Sequence, residues 1–139
     1  MILLDTNVVS QFSKPSANVK VMQWLEAVDS TQTWISAITV AEMRLGVAQL
    51  PEGRRKSVLT MSVEASLDLF KGSCLAFDAV AAEAYAPIVA SQKLKGRPID
   101  IMDAQIAAIA LSTGCTLATL NAKDFEGIEG LAIADLAIL

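Results

Sequence analysis

The apolar positions of this chain follow two alternating rhythms. Ile2, Leu3 and Leu4 form a short continuous apolar run that ends abruptly in Asp5. A run that short, with no polar alternation, fits a strand buried on both faces, as in a parallel sheet covered by helices. Thr33–Ser36, 74–77 and Thr116–Thr119 read as further strands, and 131–134 as a candidate fifth. Between them the apolar residues recur at helical spacing. Residues 8–12 predict a short helix that stops before Pro15. Asn18 suits the N-cap of a helix over 18–29, along which Val21, Met22, Trp24, Leu25 and Val28 recur. Further helices are predicted over 38–50, closed by Pro51 and Gly53, and over 54–70. An Ala-rich helix over 78–95 should start at Asp78 and kink at Pro87. The last, Ile101–Thr113, ends at Gly114, a residue well suited to the position just past a helix C-terminus. Strands alternating with helices mean one α/β domain over 1–139, with a mostly parallel sheet of four to five strands.

Composition narrows the picture. A hydrophobic content of 53% suits a sheet covered on both faces, and 139 residues suffice for one real core but not two. The longest uncharged stretch, 104–122, is interrupted by Gln105, Ser112, Thr113, Gly114, Thr116, Thr119 and Asn121, so no transmembrane helix is expected. The opening apolar run meets Asp5 at once, with no basic start, so no signal peptide is expected and the cytoplasm is the expected location. Cys74 and Cys115 each adjoin an apolar run and read as buried free thiols. The chain has no histidine, which excludes His-based acid–base catalysis, Ser-His-Asp triads and His-containing zinc sites. It also lacks a G-x-S-x-G elbow, a P-loop and a G-x-G-x-x-G turn. A net charge of −4 argues against sequence-independent nucleic-acid binding by the whole surface, leaving room for a local basic patch.

Most acids need no special explanation. Glu26, Asp29, Glu52, Glu64, Asp68 and Glu83 fall on exposed helix faces or near turns, where solvation suffices. Asp5 differs, because it stands at the carboxyl end of the first strand, where open α/β sheets form ligand crevices. Asp5, Thr6 and Asn7 equally suit a turn that caps the next helix. Asp103 has Ile99, Asp100, Ile106 and Ala107 as helical neighbours, which puts it on an apolar stripe. The positive end of the helix dipole accounts for an acid in the first turn but not for its burial, which is costly for an unpaired carboxylate. Glu42 is flanked on its helix by Ile38, Thr39, Leu45 and Gly46, while Arg44 lies on another face; a salt bridge to a distant base is its alternative. Asp124 follows directly on the fourth strand and can reach the same edge of the sheet.

Asp5, Glu42, Asp103 and Asp124 can therefore converge at one mouth of the sheet. Two carboxylates ~5 Å apart repel by roughly 3 kcal/mol at an effective dielectric of about 20. Several together need protons, basic neighbours or a divalent cation. Oxygen-only donors without His or Cys suit Mg²⁺ or Mn²⁺, ions that activate water and stabilise the leaving oxygen in phosphodiester hydrolysis.

The segments MILLDTNVVS, SAITVAEMRLGV, DIMDAQIAAIA and LATLNAKDF, in that order over positions 1 to 125, resemble the PIN domain, in particular the VapC/FitB-type toxins of bacterial toxin–antitoxin pairs. The resemblance implies a three-layer α/β/α sandwich and a metal-dependent ribonuclease, usually homodimeric and inhibited by a small partner antitoxin, with operator DNA met only through that antitoxin. On that pattern Asp5, Glu42 and Asp103 match the metal-binding acids, and Thr6 matches a hydroxyl that supports the first aspartate. For the fourth acid the family uses either the position of Asn121 or that of Asp124; here only Asp124 is a carboxylate, with Asn121 left to orient it or a water. Asp100, one helical turn before Asp103, is an accessory candidate, and Arg97 and Lys123 are the candidates for meeting RNA at the rim.

Two readings compete. A phosphoacceptor signalling domain also uses acids at the end of a parallel strand, but it wants adjacent acids early in the chain and an acceptor after a middle strand, where Asp78 here reads as a helix cap. A non-catalytic module of the same fold, binding RNA or a partner protein, would have no use for carboxylates that repel one another.

Overall fold

The structure, a computed structural model, describes residues 1–139. Five strands, β1 (Ile2–Leu4), β2 (Thr33–Ser36), β3 (Cys74–Leu75), β4 (Thr116–Thr119) and β5 (Ile133–Asp135), form one sheet in the order β3-β2-β1-β4-β5. Every pairing is parallel, with Ile2 opposite both Thr33 and Thr116. β1 is the central strand, which explains why its apolar run shows no polar alternation. Leu3 and Leu4 point to opposite faces and both are fully buried.

Six helices cover the sheet: α1 (Thr6–Val9), α2 (Val19–Ala27), α3 (Ala37–Ala48), α4 (Arg54–Asp68), α5 (Ala79–Leu94) and α6 (Ile101–Thr113). On one face Leu3 and Leu117 pack with Ala81, Ile88, Ile106 and Ile109 from α5 and α6. On the other, Leu4, Ile35 and Ala118 pack with Val8, Val21, Met43 and Val63 from α1 to α4. The layers are therefore helix, sheet, helix, the α/β/α sandwich that the motif resemblance implied. α6 is apolar on nearly all sides, and its alanines 104, 107, 108 and 110 are fully buried, so it can sit close under both α5 and the sheet. No helix is long and apolar enough to cross a membrane.

Local signals set the boundaries. Asn18 caps α2 by accepting from the backbone of Lys20 and Val21, and Asp78 caps α5 by accepting from Ala81. Gly114 takes the left-handed conformation, φ +72, that ends α6. Four expectations shift. The short first helix starts earlier, at Thr6, because Asp5 caps it, and runs on as a 3₁₀ turn, Ser10–Ser13. The third strand holds only Cys74 and Leu75, because the chain leaves the sheet edge to reach the Asp78 cap; Cys74 on that edge is exposed rather than buried, while Cys115 is buried. The fifth strand is displaced to Ile133–Asp135, the residues that pair with Leu117, Ala118 and Thr119.

The strand order has one functional consequence. From β1 the chain adds β2 and β3 on one side, then crosses to add β4 and β5 on the other. The carboxyl ends of β1 and β4 thus flank the reversal point where doubly wound sheets open a crevice.

Candidate active site

Asp5 lies at that point. Its backbone N–H donates to Ala118 O at 2.9 Å, prolonging the β1–β4 ladder by one residue, and its side chain is only 4% exposed. One carboxylate oxygen accepts the Thr6 N–H at 2.8 Å, the cap of α1. The other accepts the Thr119 hydroxyl at 2.7 Å. Thr119, fully buried at the end of β4, in turn accepts from the Asn121 N–H at 3.0 Å and from the Asn7 carboxamide at 3.4 Å. Asn7 Oδ1 accepts the Leu120 N–H at 3.2 Å, so the loops after β1 and β4 are stitched together. Burial pushes the Asp5 carboxyl above its usual range; the bonds from Thr119 and Thr6 pull the other way, and the Asp124 charge adds to the rise.

Glu42, half-buried on α3, is reached through a line of hydroxyls. Thr6 Oγ1 donates to Glu42 Oε1 at 2.9 Å, which makes it the acceptor for Thr39 Oγ1, also at 2.9 Å. Ser36 Oγ donates to Thr39 Oγ1 at 3.3 Å and accepts the Thr39 N–H at 3.0 Å, the cap of α3. Each hydroxyl both gives and takes one bond, so the line is fully satisfied and directed at the carboxylate. Ser36 and Thr39 are fully buried. Glu42 is in no salt bridge; burial raises its carboxyl, the Thr6 bond opposes that, and the Asp5 and Asp100 charges add to it. The Thr6 hydroxyl therefore supports Glu42 and not Asp5, which it serves only through its backbone N–H.

Asp103 projects from the first turn of α6, and its carboxyl is pushed up to about 7 by burial, then by the charges of Asp5, Asp100, Asp124 and Glu42. It is half-buried and lines the same concavity as Asp5, Glu42 and Asp124. The neighbouring Ile101 and Met102 are exposed. Asp100 caps α6 by accepting the Met102 N–H at 3.1 Å. Asp124 is exposed on the 3₁₀ turn Ala122–Phe125, and Asn121 holds it through the backbone, Asp124 N–H to Asn121 O at 3.0 Å.

Asp5, Glu42, Asp103 and Asp124 line one concavity of about 270 Å³ together with Thr6, Asn7 and Asn121, with no hydrophobic residue in its wall. No three of the carboxylates, as they stand in this structure, are placed to hold one metal ion together. None belongs to any of the three ion pairs of the chain, Arg44–Glu64, Lys56–Glu52 and Arg97–Glu126. An open set of unpaired oxygen donors suits Mg²⁺ or Mn²⁺, which keep several waters and take further oxygens from a phosphate. At the rim Lys123 is exposed, and Arg97 contacts Glu126 at 2.8 Å.

The residues the sequence did not single out are three further hydroxyls and one carboxamide. Thr119, Thr39, Ser36 and Asn7 position the acids, yet each stands where a strand or cap would accept it for ordinary reasons. The one available signal is placement: Ser36 and Thr119 both end strands whose carboxyl edge carries the acids.

The chain matches the family described as "PIN domain" over residues 2–131. It is 44% identical over 126 residues to a protein named toxin FitB from Neisseria gonorrhoeae, covering 90% of this chain and 91% of that one. A VapC ribonuclease from Sinorhizobium fredii is 38% identical over 127 residues, 91% of each chain. The crystal structure titled FitAcB from Neisseria gonorrhoeae superimposes with a TM-score of 0.90 at 41% identity, covering 100% of both chains. With the family matched over nearly its whole length and the acid mouth at the reversal point of its sheet, this chain belongs to the PIN-domain family.

Proposed function

We propose that this chain is a divalent-metal-dependent endoribonuclease, the toxin of a toxin–antitoxin pair, that hydrolyses RNA phosphodiester bonds at the acid mouth. The observation that carries the reading is the convergence of Asp5, Glu42, Asp103 and Asp124 on one polar concavity with no positive side chain paired to any of them. Its relatives named toxin FitB and VapC ribonuclease support the same reading.

Asp5, Glu42, Asp103 and Asp124 would hold one or two ions of Mg²⁺ or Mn²⁺. Such an ion supplies a hydroxide-like water at neutral pH and neutralises the leaving oxygen. Asp5 and Glu42 are the fixed donors, one clamped by Thr119 and the Thr6 N–H, the other by the Thr6 hydroxyl. Asp103 must give up its proton before it can act as a charged donor, and a divalent cation beside it favours that loss. Asp100 and Asn121 are accessories that shape the helix start and the loop, and Arg97 and Lys123 meet the RNA backbone at the rim. A homodimer and a cognate antitoxin that silences the mouth complete the proposal.

Cleavage of a labelled single-stranded RNA by the purified protein, with Mg²⁺, Mn²⁺ or EDTA, beside Asp103→Asn, tests it. Cutting that requires the metal and disappears in the variant is the expected result. Equal cutting by the variant would remove the mouth from the chemistry.

A further inference from the structure

A second chamber of about 340 Å³ adjoins the acid mouth and shares Asp103 and Asp124 with it. Two cations, Arg97 and Lys123, also line it. Arg97 is not free. Its Nη1 lies 2.8 Å from Glu126 Oε2, with both side chains about half-exposed. The contact has no aligned hydrogen bond, whereas Arg44 donates two, each of 3.0 Å, to Glu64. It is an ion pair held face to face by the backbone.

Gln92 does the holding. It is 2% exposed; its own carbonyl accepts the Arg97 N–H at 2.8 Å, and its side-chain Nε2 donates to Glu126 O at 2.9 Å. Lys95 pins the next residue, donating to Gly127 O at 2.6 Å. One residue thus fixes both ends of a weak, solvent-accessible pair beside the chamber, Arg97 through its backbone carbonyl and Glu126 through its buried carboxamide.

We infer that this chamber receives the phosphodiester next to the scissile one, and that Glu126 occupies that phosphate's place on Arg97 until RNA arrives. The inference rests on the ribonuclease reading and adds the path of the strand and a built-in competitor. Three carboxylates, Asp100, Asp103 and Asp124, also line the chamber, so a phosphate there needs Arg97 and Lys123 to offset them. A guanidinium prefers the paired oxygens of a phosphate to one misaligned carboxylate oxygen, and an exposed ion pair contributes little to stability, so the exchange is cheap. Gln92 acts as a positioning residue, since it touches neither partner's charged group.

The test is cleavage of a labelled single-stranded RNA oligonucleotide by the parent, Glu126→Gln, Arg97→Gln and the double variant, across a salt series. Anisotropy binding of the same oligonucleotide in Ca²⁺ runs in parallel and keeps the subsite measurable if no cutting occurs. Glu126→Gln should lower KM or Kd about two- to fivefold, the scale of an exposed ion pair, with kcat unchanged. Arg97→Gln should raise it by about as much and reduce the slope of log affinity against log salt by about 0.7. The double variant should behave as Arg97→Gln alone, because without the guanidinium there is nothing for Glu126 to block. Melts of all variants should match the parent, the pair being exposed. A Glu126→Gln variant that binds no better, effects that multiply in the double variant, or no binding of RNA at all would overturn the inference. Failure of the ribonuclease reading shows separately, as binding without metal-dependent cutting.

Discussion

The outer face of α3 and α4 and the mouth of the sheet both carry acids, and they treat them in opposite ways. On the outer face Glu64 faces Arg44 across a two-bonded ion pair, with side-chain exposures of 44% and 57%. Glu52 meets Lys56 one helical turn away at 2.7 Å. At the mouth Asp5, Glu42 and Asp103 are wholly or half buried, accept hydrogen bonds only from hydroxyls and backbone N–H groups or from none, and all have carboxyls raised above their usual range. Surface acids are cheap to keep charged, so a neighbouring base is incidental. Buried acids are not, so a mouth that denies them a base stores electrostatic tension for which only a proton or a cation from outside can compensate.

Asp103→Asn breaks this contrast most severely. It removes a donor from the mouth, and cleavage should fall at least about a hundredfold, the scale on which groups that stabilise developing charge act. The same change relieves repulsion among Asp5, Asp100, Asp124 and Glu42, so the metal-free protein should melt no lower than the parent. A large drop in Tm would make Asp103 a structural member of the mouth and return it to the class of the outer-face acids.

Thr119→Val is the next strongest test. The change keeps the shape but deletes the hydroxyl that donates to Asp5 at 2.7 Å and accepts from Asn121 and Asn7. Loss of such a supporting partner typically costs 10- to 100-fold in metal affinity or activity, roughly as a range. The expected signature is a higher metal concentration for half-maximal cutting, read by Mg²⁺ titration. Unchanged metal dependence would show that Asp5 needs no help from β4.

These residues also mark how far the sequence was legible. Asp5 could be read because an uninterrupted apolar run ending in an acid has few explanations, and Gly114 because its left-handed position is local chemistry. Asp103 stands out by helical spacing, as an acid on an apolar stripe of α6; its distances to the acids of β1, α3 and the Asp124 turn are set by tertiary folding. Thr119, Thr39 and Ser36 were invisible as positioning groups, since a hydroxyl at a strand end or helix cap has a sufficient local reason to be there. The apolar run 74–77 overstates the third strand by two residues, because it does not reveal that it lies on the sheet edge and must leave for the Asp78 cap. Glu126 reaches Gln92 and Arg97 only through tertiary folding, which no spacing along one element encodes.

A pH series separates the two regions more gently. The folded chain holds the Asp103 proton up to about 7, against an ordinary value of 3.8. Between these values the folded state binds more protons than the unfolded one, so stability falls as pH rises through the window and levels off above it. Below 3.8 both states are protonated and the penalty is absent. The metal-free protein should therefore melt higher at pH 5 than at pH 8, and Asp103→Asn should flatten that difference. Added Mg²⁺ should raise Tm more at pH 8 than at pH 5, because at the lower pH metal and proton compete for the same oxygens. A parent whose Tm climbs steadily from pH 5 to 8 without metal would contradict the stored repulsion.

The smallest effect belongs to the outer face, and its smallness is what completes the comparison. Arg44→Gln deletes the best-aligned ion pair of the chain, two hydrogen bonds to Glu64. Exposed pairs lose in side-chain freedom and screening most of what they gain in attraction. Tm should barely move, and cutting should not move at all, because Arg44 lies on a different face of α3 from Glu42. The same substitution also strips Glu64 of its only partner, which recreates on the surface the unpaired state of the mouth acids. If Glu64 without Arg44 destabilised the fold as pH rose, lack of a base alone would explain the mouth. If it does not, burial is the decisive ingredient, and what distinguishes the mouth is that it withholds both water and cations from the same carboxylates.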